Sequence, residues 1–327
     1  MEKQKLYWGK TILSFFIVLL TMPLGHALMR VMEQTMSFTA MNRCAFAMGA
    51  VGLALGIWGV FVKGDTKQTL FGLFGGLLFW TGWIEFLMGY FAARFGTHYD
   101  LVGSGTVQTV TQYVDGIGVS HQTLINGMDI ESIDRNTLKA LTGSKPEYLT
   151  MPATFGFWAL MMVLYVFGTK TGCCGMNWLQ KVFFGKKRVE IVPNNMSRHT
   201  SLTTFMELNV MMWTVYLLLM FLYDPVFFGD SHPVTIIVAL VCVVGAVFIF
   251  RKGLHLQGWG PNLRMAIACV LVLWTAVEVF ARNGLLKEFW VEPQEHVVEI
   301  ATMAVFFVAL TVFLVVRAHR GGNISRP

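Results

Sequence analysis

Eight long apolar runs constrain this chain more than any other feature. They lie near residues 11–30, 44–62, 69–93, 151–168, 204–223, 233–250, 265–282 and 295–316. Each approaches the roughly 20 residues that a helix needs to cross about 30 Å of hydrocarbon. Lipid offers no partner for a backbone amide, so only helices and closed barrels span it. These runs are too long and too uniformly apolar for barrel strands, which alternate apolar and polar residues. The sequence therefore predicts an all-α polytopic membrane bundle of about eight transmembrane helices. Composition agrees: 55% of the 327 residues are hydrophobic and 13% are charged, with a mean hydropathy of +0.57. That balance does not suit a soluble domain.

Three regions follow from the pattern: residues 1–94 with the first three spans, an extracytoplasmic loop of roughly 55 residues over 95–150, and residues 151–327 with five more spans. The basic start MEKQKLYWGK resembles a signal peptide, but no small-x-small cleavage site follows it, so it reads as a retained first span. With the N-terminus inside, inner segments hold 17 of the 25 Lys and Arg residues. The positive-inside rule then predicts a multi-pass protein of a plasma (bacterial inner) membrane with both termini cytoplasmic. The net charge of +6 is spread over short inner loops, so no nucleic-acid partner is implied. None of the five cysteines (Cys44, Cys173, Cys174, Cys242, Cys269) lies in the outer loop, so no disulfide framework is expected there.

The outer loop is polar and Gly-rich, with one expected short helix from Ile133 to Leu141, and is expected to cap the bundle. A basic cytoplasmic loop near 169–203 contains MNWLQKVFFGKKR, which places Trp178, Leu179, Val182 and Phe183 on one face of a helix suited to a membrane interface. Gly52/Gly56 and Gly72/Gly76 have the small-xxx-small spacing that lets helices approach closely in lipid. Packing within one subunit is preferred to an oligomer contact, although partner membrane subunits or a homo-oligomer fit the same spacing.

Charged groups inside spans cost about 2.5–3.5 kcal/mol each and normally face protein or a wet cavity. Glu85, in FWTGWIEFLMGYFAARFG, has Thr81, Gly82, Met88 and Gly89 at helical spacing and no local base. Glu278, in LWTAVEVFARNG, has Arg282 four residues on, as an acid–base pair on one face. Trp-Thr precedes both acids, and again stands at Trp213-Thr214. From Trp to Glu there are five residues in one case and four in the other. This mismatch favours coincidence over an internal duplication. In the last span His296 and Glu299 share a face, a spacing open to a metal or a proton relay. Thr204-x-x-Glu207 reads as a capping box. His26, Glu85, Glu278, His296 and Glu299 all fall in the outer half of their spans or at its edge, which predicts one Glu/His site below the outer face.

Metal chemistry is the other prospect. His26, His296 and Glu299 are tentative ligands, and His26 with His296 could share a haem. Met29, Met32, Met36 and Met41 surround the first outer turn with His26 and Cys44, donors that suit Cu(I) but also ordinary packing. Copper, iron and haem are the cofactors worth testing. There is no Walker A sequence, no G-x-G-x-x-G opening a helix, no H-E-x-x-H and no G-x-S-x-G. Three functions remain: proton- or cation-linked transport through Glu85, Glu278, Glu299, His296 and Arg282; the membrane subunit of an oxidoreductase complex holding a metal, haem or quinone; and a non-catalytic scaffold subunit. Against the first, the spans lack the mid-helix breaks of discontinuous transporter helices, apart from Pro23.

Overall fold

A computed structural model describes residues 6–88, 90, 107–114, 118–125, 128–129, 151–170, 174–185, 194–195, 199–224 and 227–322. The apolar runs are helices: α1 (Trp8–Thr35), α2 (Phe38–Phe61), α3 (Asp65–Phe79), α4 (Phe155–Gly168), α6 (Thr200–Tyr223), α7 (Pro233–Gly253), α8 (Trp259–Arg282) and α9 (Val297–Gly322). A shorter α5 (Cys174–Phe184) follows α4. Seven of these helices are long and apolar enough to cross a membrane, with α3 counted through Met88. The chain is a multi-pass helical bundle. Its outer surface is apolar, as lipid requires and water does not tolerate on this scale: only 17% of the α7 span and 6% of the α9 span is buried.

The fourth expected span is shorter than the rest. A 3₁₀ turn, Met151–Thr154, precedes the 14 residues of α4. Pro152 stands at this turn, where proline's missing N–H is tolerated at a helix start. Together the turn and helix reach about 29 Å, close to the hydrocarbon thickness. Within residues 95–150 the described part is an antiparallel hairpin, Val107–Val114 against Gly118–Ile125, with Met128–Asp129 alongside. The helix expected over Ile133–Leu141 lies outside the described residues. The short helix expected in the 169–203 loop appears as α5, with Trp178, Val182 and Phe183 outward, whereas Leu179 packs toward Val166 of α4. The buried Gln180 donates from its side-chain amide to the Val166 carbonyl of α4 at 3.3 Å.

Polar contacts tie four helix N-termini together at one end. Arg264 of α8 donates to Asp65 Oδ1 (3.0 Å) and Thr69 Oγ1 (2.7 Å) of α3. Thr200 of α6 donates to Asp65 (3.3 Å). Thr11 of α1 donates to Asn262 Oδ1 of α8 (2.8 Å). Helices α1, α3, α6 and α8 therefore run in the same direction. Their packing follows a repeated pattern: α3 lies against α2 and α6, while α8 lies against α7 and α1. Short polar residues and glycines allow these approaches. A Cβ on Gly52 would stand 2.6 Å from the Gly75 carbonyl oxygen, and one on Gly76 would stand 2.8 Å from Leu208 of α6. The glycine spacings thus serve contacts within the chain.

One local expectation is corrected. Thr204 and Glu207 do not form a capping box, because α6 begins at Thr200 and Thr204 donates back to the Thr200 carbonyl at 2.8 Å. The helix starts a turn early, where Thr200 reaches Asp65.

Candidate functional site: a two-carboxylate cavity

Near the far ends of α1, α3, α6 and α8 the bundle forms a partly open cavity of about 40 Å³, room for roughly three water molecules. One side is formed by Met22 and His26 of α1 with Trp274 and Glu278 of α8. The other is formed by Met212 and Tyr216 of α6 with Trp80 and Glu85 of the α3 extension. Leucines and methionines close the rest, so the polar groups sit in a largely apolar wall.

Each carboxylate has an aromatic donor. The Trp274 indole N–H donates to Glu278 Oε1 at 2.8 Å, and the Tyr216 hydroxyl donates to Glu85 Oε1 at 3.1 Å. The rings around them are layered. His26 stacks on Trp274 with centroids 5.8 Å apart, Trp80 meets Tyr216 at 5.5 Å, and Trp274 continues onto Trp290 at 5.3 Å. These rings fix the orientation of the polar atoms between them.

His26 is fixed at one nitrogen. Its Nδ1 lies 2.9 Å from the Met22 carbonyl oxygen. A carbonyl can only accept, so Nδ1 carries hydrogen. The other nitrogen, Nε2, faces Glu278 Oε1 at 3.8 Å. In the neutral ring Nε2 is an acceptor, as is an ionised carboxylate. The two groups are favourable neighbours only with positive charge or a hydrogen-bond donor between them: a proton on either group, a cation or a bridging water.

The carboxylates share the cavity because of the local backbone. Residues Trp80–Glu85 form a π-helical turn inside the third span. Such turns insert one residue into a helix and occur frequently at functional sites. Gly82 lets the turn press against the backbone of Ala45 and Gly49, and the Trp83 indole donates to the Phe46 carbonyl at 2.8 Å.

The remaining candidates lie elsewhere. Arg282, expected beside Glu278, instead pairs with Asp230 Oδ1 at 3.4 Å and lies over the Tyr223 ring at 4.0 Å. Burial pushes the Asp230 carboxyl above the usual carboxylate range, and the adjacent Arg282 offsets this only in part. His296 and Glu299 meet each other at the start of α9, Nδ1 to Oε1 at 3.5 Å. They are not part of the cavity lining, and they do not form one ligand cluster with His26. His296 instead approaches Glu292 and Glu295, with one ligand atom from each residue within 4.8 Å of the others. Among the proposed copper donors, Met29, Met32 and Met41 pack with Ala45, Met48 and Phe86 in an apolar cluster. Three polar wall residues stand outside the expected site set: Tyr216, Trp80 and Trp274. The two tryptophans were visible in the repeated Trp-Thr, but the tyrosine had no distinguishing signal. No protein-family model, curated protein or solved structure matches the chain.

Proposed function

We propose that this integral membrane protein handles protons or small cations at the cavity between Glu85 and Glu278, in a proton- or cation-linked transport step. The observation that carries the reading is His26 Nε2 facing Glu278 across 3.8 Å while Nδ1 is committed to a backbone carbonyl. That arrangement is a seat for one positive charge. Glu85 supplies a second carboxylate on the same cavity, and Tyr216 and Trp274 hold the pair in place. A volume of about 40 Å³ suits a proton on water or a partly hydrated ion. It is well below the roughly 300 Å³ and more of sites that enclose larger ligands, which weighs against a haem or quinone ring in this cavity. Arg282 with Asp230 buttresses the rim. Glu299 and His296, paired at the start of α9, would serve as an outer relay.

Eight crossings are the topology that suits this reading. α3 ends at the cavity side and α6 begins at the opposite side, so the chain returns between them, and α4 is the apolar helix available there. Both termini then share one face, and the excess of Lys and Arg makes that face cytoplasmic.

The test is reconstitution into liposomes that enclose a pH-sensitive dye, with a potassium diffusion potential imposed. Glu85→Gln and Glu278→Gln should each lower the potential-driven flux at least tenfold while the protein still folds. The proposal fails if both variants carry flux like the wild type.

A further inference from the structure

The two carboxylates occupy corresponding places in two similar halves, and the difference between the halves identifies a ligand-holding group. The correspondence is first seen in packing: α1 on α8 repeats α6 on α3, and α7 with α8 repeats α2 with α3. It continues at residue level. At one constant offset along α1 and α6, Thr11 matches Ser201, Ser14 matches Thr204, Val18 matches Leu208, Met22 matches Met212 and His26 matches Tyr216. All but the last pair are buried. Thr11 fills the space beside Gly253, and Ser201 fills the space beside Gly59. The matched helices α3 and α8 both follow a glycine N-cap, Gly64 and Gly258. On their fourth residues the Gln68 amide donates to the Val62 carbonyl at 2.8 Å, and the Asn262 amide donates to Leu256 at 2.7 Å. Trp80 and Trp274 keep the same register.

Glu85 then stands one residue too far along to match Glu278. The π turn over Trp80–Glu85 absorbs that residue, because it closes i→i+5 bonds where an α-helix closes i→i+4. The unequal Trp–Glu spacing, which argued against duplication in the sequence, marks an insertion in one copy. The insertion has a chemical consequence. In the α8 copy the indole N–H is satisfied by its own helix's glutamate. In the α3 copy the glutamate has turned to Tyr216, and Trp80 Nε1 is buried with no hydrogen-bond partner among the described residues. Trp80 is 1% exposed and lines the cavity. A buried N–H left unmatched has given up its water for no protein partner, so a fold that retains one in a cavity wall that also bears two carboxylates needs a reason.

We propose that the Trp80 indole N–H holds a water-sized oxygen ligand in this cavity: a water or the hydration water of a small cation. The oxygen accepts from Trp80 and presents its own hydrogens, or its cation, to Glu85 and Glu278. The Trp274 half is closed on itself and serves as the fixed wall. This inference rests on reading the cavity as a proton or cation site, and it goes further by naming the group that seats the ligand.

The test uses the full chain in detergent micelles, with ¹⁵N-labelled tryptophan. The Trp80 indole signal is assigned by its loss in Trp80→Phe, and the Trp274 signal by its loss in Trp274→Phe. The Trp80 signal should have the shift of a hydrogen-bonded indole, move as pH is taken from about 5 to 9, and change in Glu85→Gln. In liposomes Trp80→Phe should lower flux about tenfold and cost less thermal stability than Trp274→Phe, because both lose buried ring volume but only Trp274 loses a hydrogen bond to a protein partner. Trp274→Phe should lower stability. Should Trp80→Phe not fold, Trp80→His keeps a ring donor for both measurements and should retain flux. A Trp80 signal at the free-indole position, indifferent to pH and to Glu85→Gln, overturns the proposal. So does full flux in Trp80→Phe. A responsive Trp80 signal in a protein without flux would support the ligand seat while removing the transport reading. Proton flux without sodium or potassium flux identifies the ligand as water; alkali-cation flux that depends on Trp80 identifies it as hydration water.

Discussion

Gly52→Ala tests how tightly the glycine seam between α2 and α3 holds the cavity in shape. The added Cβ would lie 2.6 Å from the Gly75 carbonyl oxygen and 2.5 Å from the Phe79 amide nitrogen, whereas ordinary contact begins at 3.4 Å. Both neighbours are backbone and cannot rotate away, so the helices must part by about 0.8 Å. Overpacking of this kind costs about 1–3 kcal/mol. Gly75→Ala makes the reciprocal collision, 2.7 Å from the Gly52 carbonyl oxygen. Once the helices have parted, the second methyl costs less, so the double variant should fall short of the summed losses. Gly25→Ala in α1 is the control. Its Cβ meets nothing within 4 Å, and alanine is favoured over glycine inside a helix by up to about 1 kcal/mol. The assay is reversible unfolding from mild detergent into SDS, followed by tryptophan fluorescence. The seam continues to Gly82 and the Trp83–Phe46 hydrogen bond in the π turn, so Gly52→Ala should lower flux as well. Gly52→Ala as stable as the Gly25→Ala control would refute the packing argument.

The matched amides offer a second comparison. Asn262→Ala strips the partner from Thr11 and from the Leu256 and Gly258 carbonyls, so it should cost about 1–3 kcal/mol in the same unfolding assay. Gln68→Ala removes the single Val62 contact and should cost less. Asp230 gives a pH prediction. Its folded carboxyl titrates above the ordinary value of 3.8 because of burial. It therefore favours the fold while protonated, and that contribution is lost as pH rises from about 3.8 through the raised folded value. Melting temperatures across pH 3.5–7 should contain this falling component in the wild type, and Asp230→Asn should flatten it. Reporter fusions at both ends should place them on the same, cytoplasmic side; opposite sides would refute the eight-crossing topology.

Much of the bundle was legible because lipid leaves a chain few choices. Hydropathy located the helices, and their boundaries moved by only a few residues where caps and turns intervene. α3, for example, begins at Asp65 after the positive-φ Gly64. α4 was less legible, since hydropathy cannot tell a 3₁₀ turn from the first turn of a longer helix. The capping box was misread for a related reason. Thr204-x-x-Glu207 has the right local pattern, but a tertiary contact from Thr200 to Asp65 moves the helix start four residues earlier.

For the site, depth could be read along each span, but neighbourhood around the bundle could not. Glu85, Glu278 and His26 lie at one level and on helices that meet. His296 and Glu299 lie near that level too, yet α9 docks on the outside of α1 and keeps them from the cavity lining. Arg282 has the spacing to reach Glu278, but it is one turn nearer the helix end. There its guanidinium can lie over Tyr223 beside Asp230 instead of losing water in an apolar wall, and the carboxylate takes the indole at i−4. Tyr216 stands in the sequence as one of eight tyrosines. Only its correspondence with His26, each one turn beyond a methionine, sets it apart. The π turn was hidden most deeply, because an extra residue in a helical run leaves no trace in hydropathy. It appears only as a disagreement in spacing between two Trp-Thr segments. The same disagreement, placed in a backbone that closes i→i+5 bonds, makes Glu85 and Glu278 chemically different. One carboxylate is held by the indole of its own helix and faces an imidazole. The other is held by a neighbouring tyrosine, beside an indole whose hydrogen is left for a ligand.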